Sequence, residues 1–389
     1  MSVIDRSLFV GLETGIVHLC SGGEAPALRS VVSGIEEYCR YKGQGMKGRE
    51  AILGCYLETK RLLAQFVGIA NKPDNFALLS NASEGLNAIA SAIVWQPGDE
   101  VVSFSNEFPS VLLPWLARRK QGVTLRTVSP GTDPERSIEN AITDHTRVIC
   151  LSHVSYLTGL RVDLMRLSKI ARASRATLIV DASHSLGVLN VPFAFCDAVV
   201  SCCNKFLLGP YGAGILYCDD SLLMNLRGQS VIGWHSINNL ESGTAAEPYT
   251  LKLDATRFEI GNPPLMAIFA LREGLRVLSR VGVATIETEV TRLAGRVDDA
   301  LRHNEYPVIT PTMPYRRGSS ISFTDDAPEQ FAWRLARKGV FVWGGEGRVR
   351  VSLHGYNDED DIDVLLQELS TDVRPNGSAV SMRSGRAHT

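Results

Sequence analysis

Lys205 stands between two apolar segments, Ala198-Val-Val-Ser201 before it and Phe206-Leu-Leu208 after it, and a Gly-Pro-Tyr-Gly turn follows. An amine held among apolar residues loses pKa and becomes a nucleophile able to form a Schiff base and carry a proton. The structural alternative is a surface lysine whose stem lies along the protein and whose head reaches water. Asp181 closes the run Thr177-Leu-Ile-Val-Asp181. A carboxylate after four buried strand residues is costly without a cationic partner. It therefore caps a helix, bridges to a loop cation, or faces a cationic ring nitrogen and keeps it protonated. Asn81-Ala-Ser83-Glu-Gly85 follows a predicted strand and opens a helix, so Ser83 and its neighbouring amides suit either a plain N-cap or a phosphate. Arg350 lies in the alternating run Arg348-Val-Arg350-Val-Ser352-Leu-His354. Its fork is suited to a substrate carboxylate, or to a salt bridge on an exposed strand.

The elements that must position these groups alternate along the chain. Short apolar runs bounded by turn residues read as buried strands: Phe76 to Ser80, Glu100 to Phe104, Val123 to Val128, Val148 to Leu151 and Thr177 to Val180. Helical stretches lie between them, for example Pro134 to Ile142 and Val162 to Ala173. Strands alternating with helices predict a mostly parallel sheet covered on both faces, with polar residues at the carboxyl ends of the strands forming the site. Ala198 to Ser201 and Ala213 to Tyr217 are two further strands with no helix between them. Near the start, Leu28, Val31, Val32 and Ile35 recur at helical spacing after Pro26, and a longer helical pattern runs from Arg49 to about Val67. Beyond Pro263 two amphipathic patterns, Leu265 to Val281 and Ala284 to about His303, suggest a long helix crossing into a second, α+β unit. That unit contains Ser319 to Phe323, a helix from Gln330 to Lys338, strands around Val340 and Val349, and a closing helix from Asp358 to Leu369.

Composition narrows the classes of function. The chain has 389 residues, 44% of them hydrophobic and 21% charged, as in ordinary globular proteins. The formal net charge of -2 gives no basic field for nucleic acid, and no polybasic block addresses a membrane surface. Of the eight cysteines, most lie in apolar runs, and no C-x-x-C pair occurs, so no zinc site or disulfide framework is expected. Asp5, Arg6 and Glu13 interrupt any signal-peptide core, and no apolar stretch reaches the roughly 20 residues of a membrane span. A cytoplasmic protein is expected. No G-x-G-x-x-G follows the first strand, so a nucleotide-binding dehydrogenase has no support.

Taken in order, the segments Leu178-Ile-Val-Asp-Ala-Ser-His184, Ser201-Cys-Cys-Asn-Lys-Phe-Leu-Leu-Gly-Pro-Tyr-Gly212 and Arg350-Val-Ser-Leu-His-Gly-Tyr-Asn357 resemble the class V aminotransferase family of pyridoxal phosphate enzymes. The resemblance runs from about Cys20 to Leu369. It implies the α/β architecture of fold type I: a large domain around a mostly parallel seven-stranded sheet and a smaller α+β domain. Residues 21–255 would form the large domain, residues 1–20 and 256–372 the small one, and 373–389 a disordered tail. The resemblance also implies residue roles. Lys205 carries the cofactor as a Schiff base, Asp181 pairs with the pyridine nitrogen, and His184 sits near the phenolic oxygen. Ala82 and Ser83 bind the phosphate together with Cys202 and Asn204, where many desulfurases carry Ser and His. Phe108 stacks on the ring in place of the desulfurase histidine, and Tyr156 contacts the cofactor. Trp234 resembles a tryptophan near the phosphate, and Asn262 resembles a residue reaching the phosphate of a neighbouring subunit, which implies a homodimer. Arg350 and His354 face the substrate.

The expected function is therefore aminotransfer or a lyase reaction at the α-carbon of an amino acid. Epimerisation and a kynureninase-like hydrolysis are the alternatives, and a non-catalytic binding protein of the same fold is the alternative from another class. His354 or Tyr156 could serve as the general acid of an elimination. Desulfurases of the family relay sulfur through a mobile cysteine late in the chain. Here no cysteine follows Cys218, which disfavours that mechanism.

Overall fold

The computed structural model describes residues 1–238 and 249–370; the expected disordered tail lies outside the described residues. In chain order the first elements are β1 (Val17–His18), α1 (Arg29–Lys42) and α2 (Met46–Phe66). Strands and helices then alternate through β2 (Phe76–Leu79), α3 (Ala82–Ala92), β3 (Glu100–Phe104), α4 (Pro109–Leu116), β4 (Thr124–Val128) and α5 (Pro134–Ala141). The series continues with β5 (Thr146–Ser152), α6 (Leu164–Ser174), β6 (Thr177–Asp181), β7 (Ala198–Cys202) and β8 (Gly214–Cys218). After α7 (Asp220–Asn225) come α8 (Leu265–Val281), α9 (Val283–His303), β9 (Ser320–Thr324) and α10 (Pro328–Ala336). The last elements are β10 (Val340–Phe341), β11 (Trp343–Gly345), β12 (Arg348–Ser352) and α11 (Glu359–Ser370).

The large sheet has the order β2-β8-β7-β6-β5-β3-β4. Its pairs are parallel except for β8, which runs antiparallel to both neighbours. That exception follows from the missing helix between β7 and β8, since a parallel return needs a crossover and a turn does not. The inner strands are continuous apolar runs buried on both faces, and β2 and β8 are buried at every residue. Val123 to Val128 departs from the expected buried strand. β4 ends the sheet, and its Thr124, Arg126 and Thr127 are exposed. Asn81 caps α3 by accepting from Glu84 N at 2.9 Å, while Glu84 returns a carboxylate oxygen to Ser80 N. Pro109, Pro134 and Pro328 open their helices at the position where proline costs no hydrogen bond.

The smaller sheets join the ends of the chain. β1 pairs parallel with β10, and β11-β12-β9 form an antiparallel sheet. The period of two in β12 sorts its residues onto two faces. Val349 and Val351 lie opposite Phe323 and Ile321 in the hydrophobic core, while Arg348, Arg350 and Ser352 lie opposite Thr324, Ser322 and Ser320 on the other face. The expected long helix is broken at Gly282, whose φ of +85° ends α8 and starts α9 at a new angle. α8 packs on α1 and α2, so the change of packing partners falls at that glycine.

Candidate active site

A cavity opens where the carboxyl ends of β5, β6 and β7 meet the N-termini of α3 and α4. β6 contributes Asp181 and the following Ser183 and His184; β7 contributes Cys202, with Lys205 three residues on. Ala82 and Ser83 line it from α3, and Phe108 and Ser110 from the start of α4. Tyr156 closes one side after β5. Eight of the positions that the sequence singles out thus share one cavity, drawn from segments far apart in the chain.

Lys205 Nζ lies 3.1 Å from His184 Nε2 and 5.9 Å from the centre of the Phe108 ring. Burial holds the imidazole well below its ordinary range, and Lys205, Arg350 and Arg348 push the same way. His184 is therefore neutral. Its Nε2 accepts from the lysine ammonium, which leaves the hydrogen on Nδ1, and that atom is buried with no partner among the described residues. Asp181 is buried too, and burial pushes its carboxyl up while Ser183 and the Lys205 charge pull it down. Ser183 N donates to Asp181 Oδ1 at 2.8 Å; among the described residues no hydrogen bond reaches Oδ2. Ser183 Oγ in turn accepts from Cys202 N at 3.0 Å and ties the ends of β6 and β7 together. After Lys205 the chain turns sharply, with Leu208 at a φ of +55°, a conformation a leucine adopts only under constraint. Gly187 lets that turn approach, since a Cβ there would stand 2.0 Å from Phe206 O.

Ser83 Oγ donates to Ser110 Oγ at 2.7 Å, so two hydroxyls meet where the amides of two helix N-termini converge. Phe108 presents its ring edge-to-face to Tyr156 at 5.2 Å and remains 42% exposed. Arg350 arrives from the small sheet. It is 3% exposed, donates from Nη1 to Tyr156 O at 2.9 Å, and leaves Nε buried without a partner among the described residues. No ion pair engages it among the described residues, so the salt-bridge reading is set aside. Burial brings its pKa down to about 10. The distance to His184 is short: a Cβ on Gly22 would lie 3.3 Å both from Arg350 Nε and from His184 Cε1.

The remaining positions lie elsewhere. His354 is fully buried; its Nδ1 accepts from Gly355 N at 2.7 Å, so Nε2 donates to Phe206 O at 3.0 Å. With both nitrogens engaged and its ring stacked on Tyr356 at 5.3 Å, it has no free atom for substrate, which corrects its expected role. It anchors the turn after Lys205 instead. Asn204 directs its backbone oxygen to Ala25 N and is absent from the cavity lining. Trp234 and Asn262 are exposed and also outside it. Sequence reasoning missed Glu107. This carboxyl, beside the cavity, accepts from Ser152 N at 2.7 Å and Ser152 Oγ at 2.5 Å, and burial raises its pKa to about 7. Its only signal in the sequence is a charged residue directly before Phe108. Among the described residues no group of three or more His, Cys, Asp or Glu side chains is placed to hold a metal, and no helix is long and apolar enough to cross a membrane.

The site and sheet order define an α/β enzyme of fold type I, and comparison with known proteins agrees. The aminotransferase class-V family model matches residues 17–365, and the chain belongs to that family of pyridoxal phosphate enzymes. It is 25% identical over 379 residues to a probable cysteine desulfurase of Pyrococcus abyssi, covering 89% of this chain and 91% of that protein. It is also 25% identical over 370 residues to the uncharacterized aminotransferase YcbU of Bacillus subtilis, covering 94% and 96%. Among solved structures, a cysteine desulfurase from Thermococcus onnurineus superposes with a TM-score of 0.85 at 24% identity, covering 94% of this chain and 97% of that one. The cystine C–S lyase C-DES, solved with its product cysteine persulfide, gives 0.84 at 22% identity, covering 93% and 99%.

Proposed function

We propose that this enzyme binds pyridoxal phosphate on Lys205 and acts at the α-carbon of an amino acid whose carboxylate is held by Arg350, as an aminotransferase or a lyase. One observation carries the reading: Lys205 Nζ lies in contact with a neutral His184 in a cavity that also holds Asp181. The residues fit the cofactor. His184 Nδ1 and Arg350 Nε are buried polar atoms with no partner among the described residues, where Asp181 accepts only from Ser183. Lys205 would hold the cofactor covalently, Asp181 would face its ring nitrogen, and Phe108 would cover the ring. Ser83, Ala82 and Ser110 would take the phosphate at the N-terminus of α3. When bound, the cofactor supplies an electrophilic carbon for the substrate amine and a ring that draws electrons from the α-carbon.

The chain's own groups do the rest. Lys205, once free, takes a proton from the α-carbon and returns it to carbon. His184 accepts a hydrogen bond from that amine and fixes its direction. Asp181, held by Ser183, keeps negative charge next to the ring nitrogen. Arg350 orients the substrate by its carboxylate. With His354 occupied, Tyr156 is the acid for a leaving group; burial raises its hydroxyl pKa, so it keeps its proton for transfer.

A lyase reaction also accommodates the relatives' names. A sulfur relay needs a mobile thiol, but no cysteine follows Cys218, and burial raises the thiols of Cys20 and Cys202. An elimination that leaves sulfur on the product asks nothing of a protein thiol, and one solved neighbour is described as a cystine C–S lyase. We further propose a homodimer. Trp234 lies beside the exposed Val231, Ile232 and Ile260, an apolar surface suited to a second copy. A single-subunit mass by light scattering would remove Trp234 and Asn262 from the site.

The test is the visible spectrum of the purified protein before and after borohydride, with peptide mapping. A yellow Schiff-base band that reduction fixes on Lys205 supports the reading. A protein that stays colourless with added pyridoxal phosphate overturns it.

A further inference from the structure

Arg350 has a neighbour that the reaction leaves unused. Arg348 lies on the same face of β12, two residues and so roughly 7 Å away along the strand. It is 1% exposed, among the most buried large side chains in the chain. Its guanidinium carbon is 4.5 Å from the centre of the Trp343 ring and 5.0 Å from that of Tyr156, which lines the cavity. Arg350 stands 5.0 Å from the same Trp343 ring, so one aromatic platform carries both cations. Arg348 Nη1 donates to Glu346 Oε2 at 2.7 Å, toward a carboxylate whose side chain is 59% exposed. Nε and Nη2 are buried and have no partner among the described residues.

Ring contacts hold a cation without using the edge of its fork. They leave unexplained why two donors of a fully buried guanidinium stay unpaired, which native interiors avoid. The charges add to the argument. Two guanidinium groups lie on one face of β12 next to Tyr156, which lines the cavity, against one exposed carboxylate, and among the described residues Arg350 has no ion pair. A substrate with an apolar side chain would leave that excess uncompensated and the donors unmet. A substrate with a second anionic group meets both needs, because a planar oxyacid accepts two parallel hydrogen bonds from such a fork.

We propose that Arg348 anchors an acidic group at the side-chain end of the substrate, so that the enzyme takes amino acids bearing a carboxylate or sulfonate beyond the α-carbon. The assignment rests on the reading of Arg350 as the α-carboxylate anchor.

The experiment is calorimetric titration of the holoenzyme with glutarate, 4-sulfobutyrate and pentanoate, three inert acids of similar length. One or both of the dianions should bind about tenfold or more tightly than pentanoate. Arg348→Gln should bring that ratio to about twofold or less while leaving pentanoate affinity in place; Arg350→Gln should weaken all three. Equal affinities in the parent protein, or a ratio that survives in folded Arg348→Gln, would overturn the proposal. Should Arg348→Gln fail to fold, Arg348→Lys carries the test, since it keeps the charge and the stem but loses the fork. A ratio cut by about threefold or more supports the proposal, and an unchanged one overturns it. Borohydride mapping of the same samples separates the two readings. An adduct on Lys205 without a dianion preference removes the Arg348 anchor alone. A dianion preference without an adduct removes the cofactor reading alone.

Discussion

Two clusters of buried polar side chains in this protein are built from the same residue types and finished differently. At the open edge of the large sheet, Glu259 accepts from Leu78 N at 2.8 Å and from Tyr56 Oη at 2.8 and 3.0 Å, with His235 Nδ1 at 3.4 Å. Lys60 lies nearby, 1% exposed, with its ammonium 3.7 Å from Asp74 and 5.5 Å from the Tyr56 ring. There the Glu259 carboxylate is satisfied by donors of the chain itself, and Lys60 packs over the Tyr56 ring beside the edge of β2. In the cavity, Asp181 and His184 are buried and Lys205 is half-buried; Asp181 accepts only from Ser183, and His184 Nδ1 has no partner among the described residues. Buried polar groups are normally paired, so the first cluster looks like stability and the second like a place kept for a ligand.

The largest effect that would break this comparison is at Lys205. Lys205→Ala should lose borohydride-fixed cofactor outright and all turnover, while its unfolding free energy stays within about 1 kcal/mol of the parent. A large loss of stability would place Lys205 with the structural cluster. Asp181→Asn is next. Turnover should fall by roughly two to three orders of magnitude, because a fixed charge beside the ring nitrogen is lost. Stability should rise slightly, since burial already disfavours the carboxylate there. Steady-state kinetics and denaturant melts on one preparation read both, and unchanged kinetics would make the carboxylate structural.

Which elements carry these groups was legible because the signals are local. An apolar run ending in Asp181, another followed by Lys205, and Asn81 with Glu84 at a helix start are each contained in a few neighbouring residues. The helical patterns of α8 and α9 were legible for the same reason, but they read as a long helix, and the break at Gly282 comes from its left-handed backbone. What the sequence hides is the partner of a group when that partner is distant. His354 looked free until Phe206, 148 positions away, took its Nε2. Glu107 gave no hint of burial, because Ser152, which sequesters it, comes from another strand. The orphaned donors of Arg348 depend on two rings from different segments. β4 read as a buried strand because a run of residues does not say which strand ends a sheet.

The structural cluster has its own test. Glu259→Ala leaves Tyr56 Oη and Leu78 N without their acceptor and removes a negative charge that acts on buried Lys60, and it should cost about 3–5 kcal/mol in denaturant unfolding. Turnover per folded molecule should be unchanged. A stable variant with impaired turnover would make the edge cluster part of the site.

The smallest effect distinguishes the clusters through a property they share. Burial raises the carboxyl pKa of both Glu107 and Glu259 to about 7 from an ordinary 4.5. Between those values the folded protein holds a proton that the unfolded chain has released, so the folded state binds more protons and stability falls as pH rises through that window. Each shift corresponds to about 3 kcal/mol when complete, fully lost only above the folded pKa. Glu107→Gln and Glu259→Gln should therefore each flatten the decline of stability between about pH 5 and 7 by comparable amounts. In the site they should differ. The Glu107 charge acts on Asp181 and Tyr156, whereas Glu259 acts on Tyr56 and Lys60. A pH titration of the cofactor's visible band should shift in Glu107→Gln, by less than about one pH unit at this separation and burial, and stay in place in Glu259→Gln. Equal shifts in both variants would mean that the two clusters are electrically one, and the division between a paired scaffold and an unpaired site would fail.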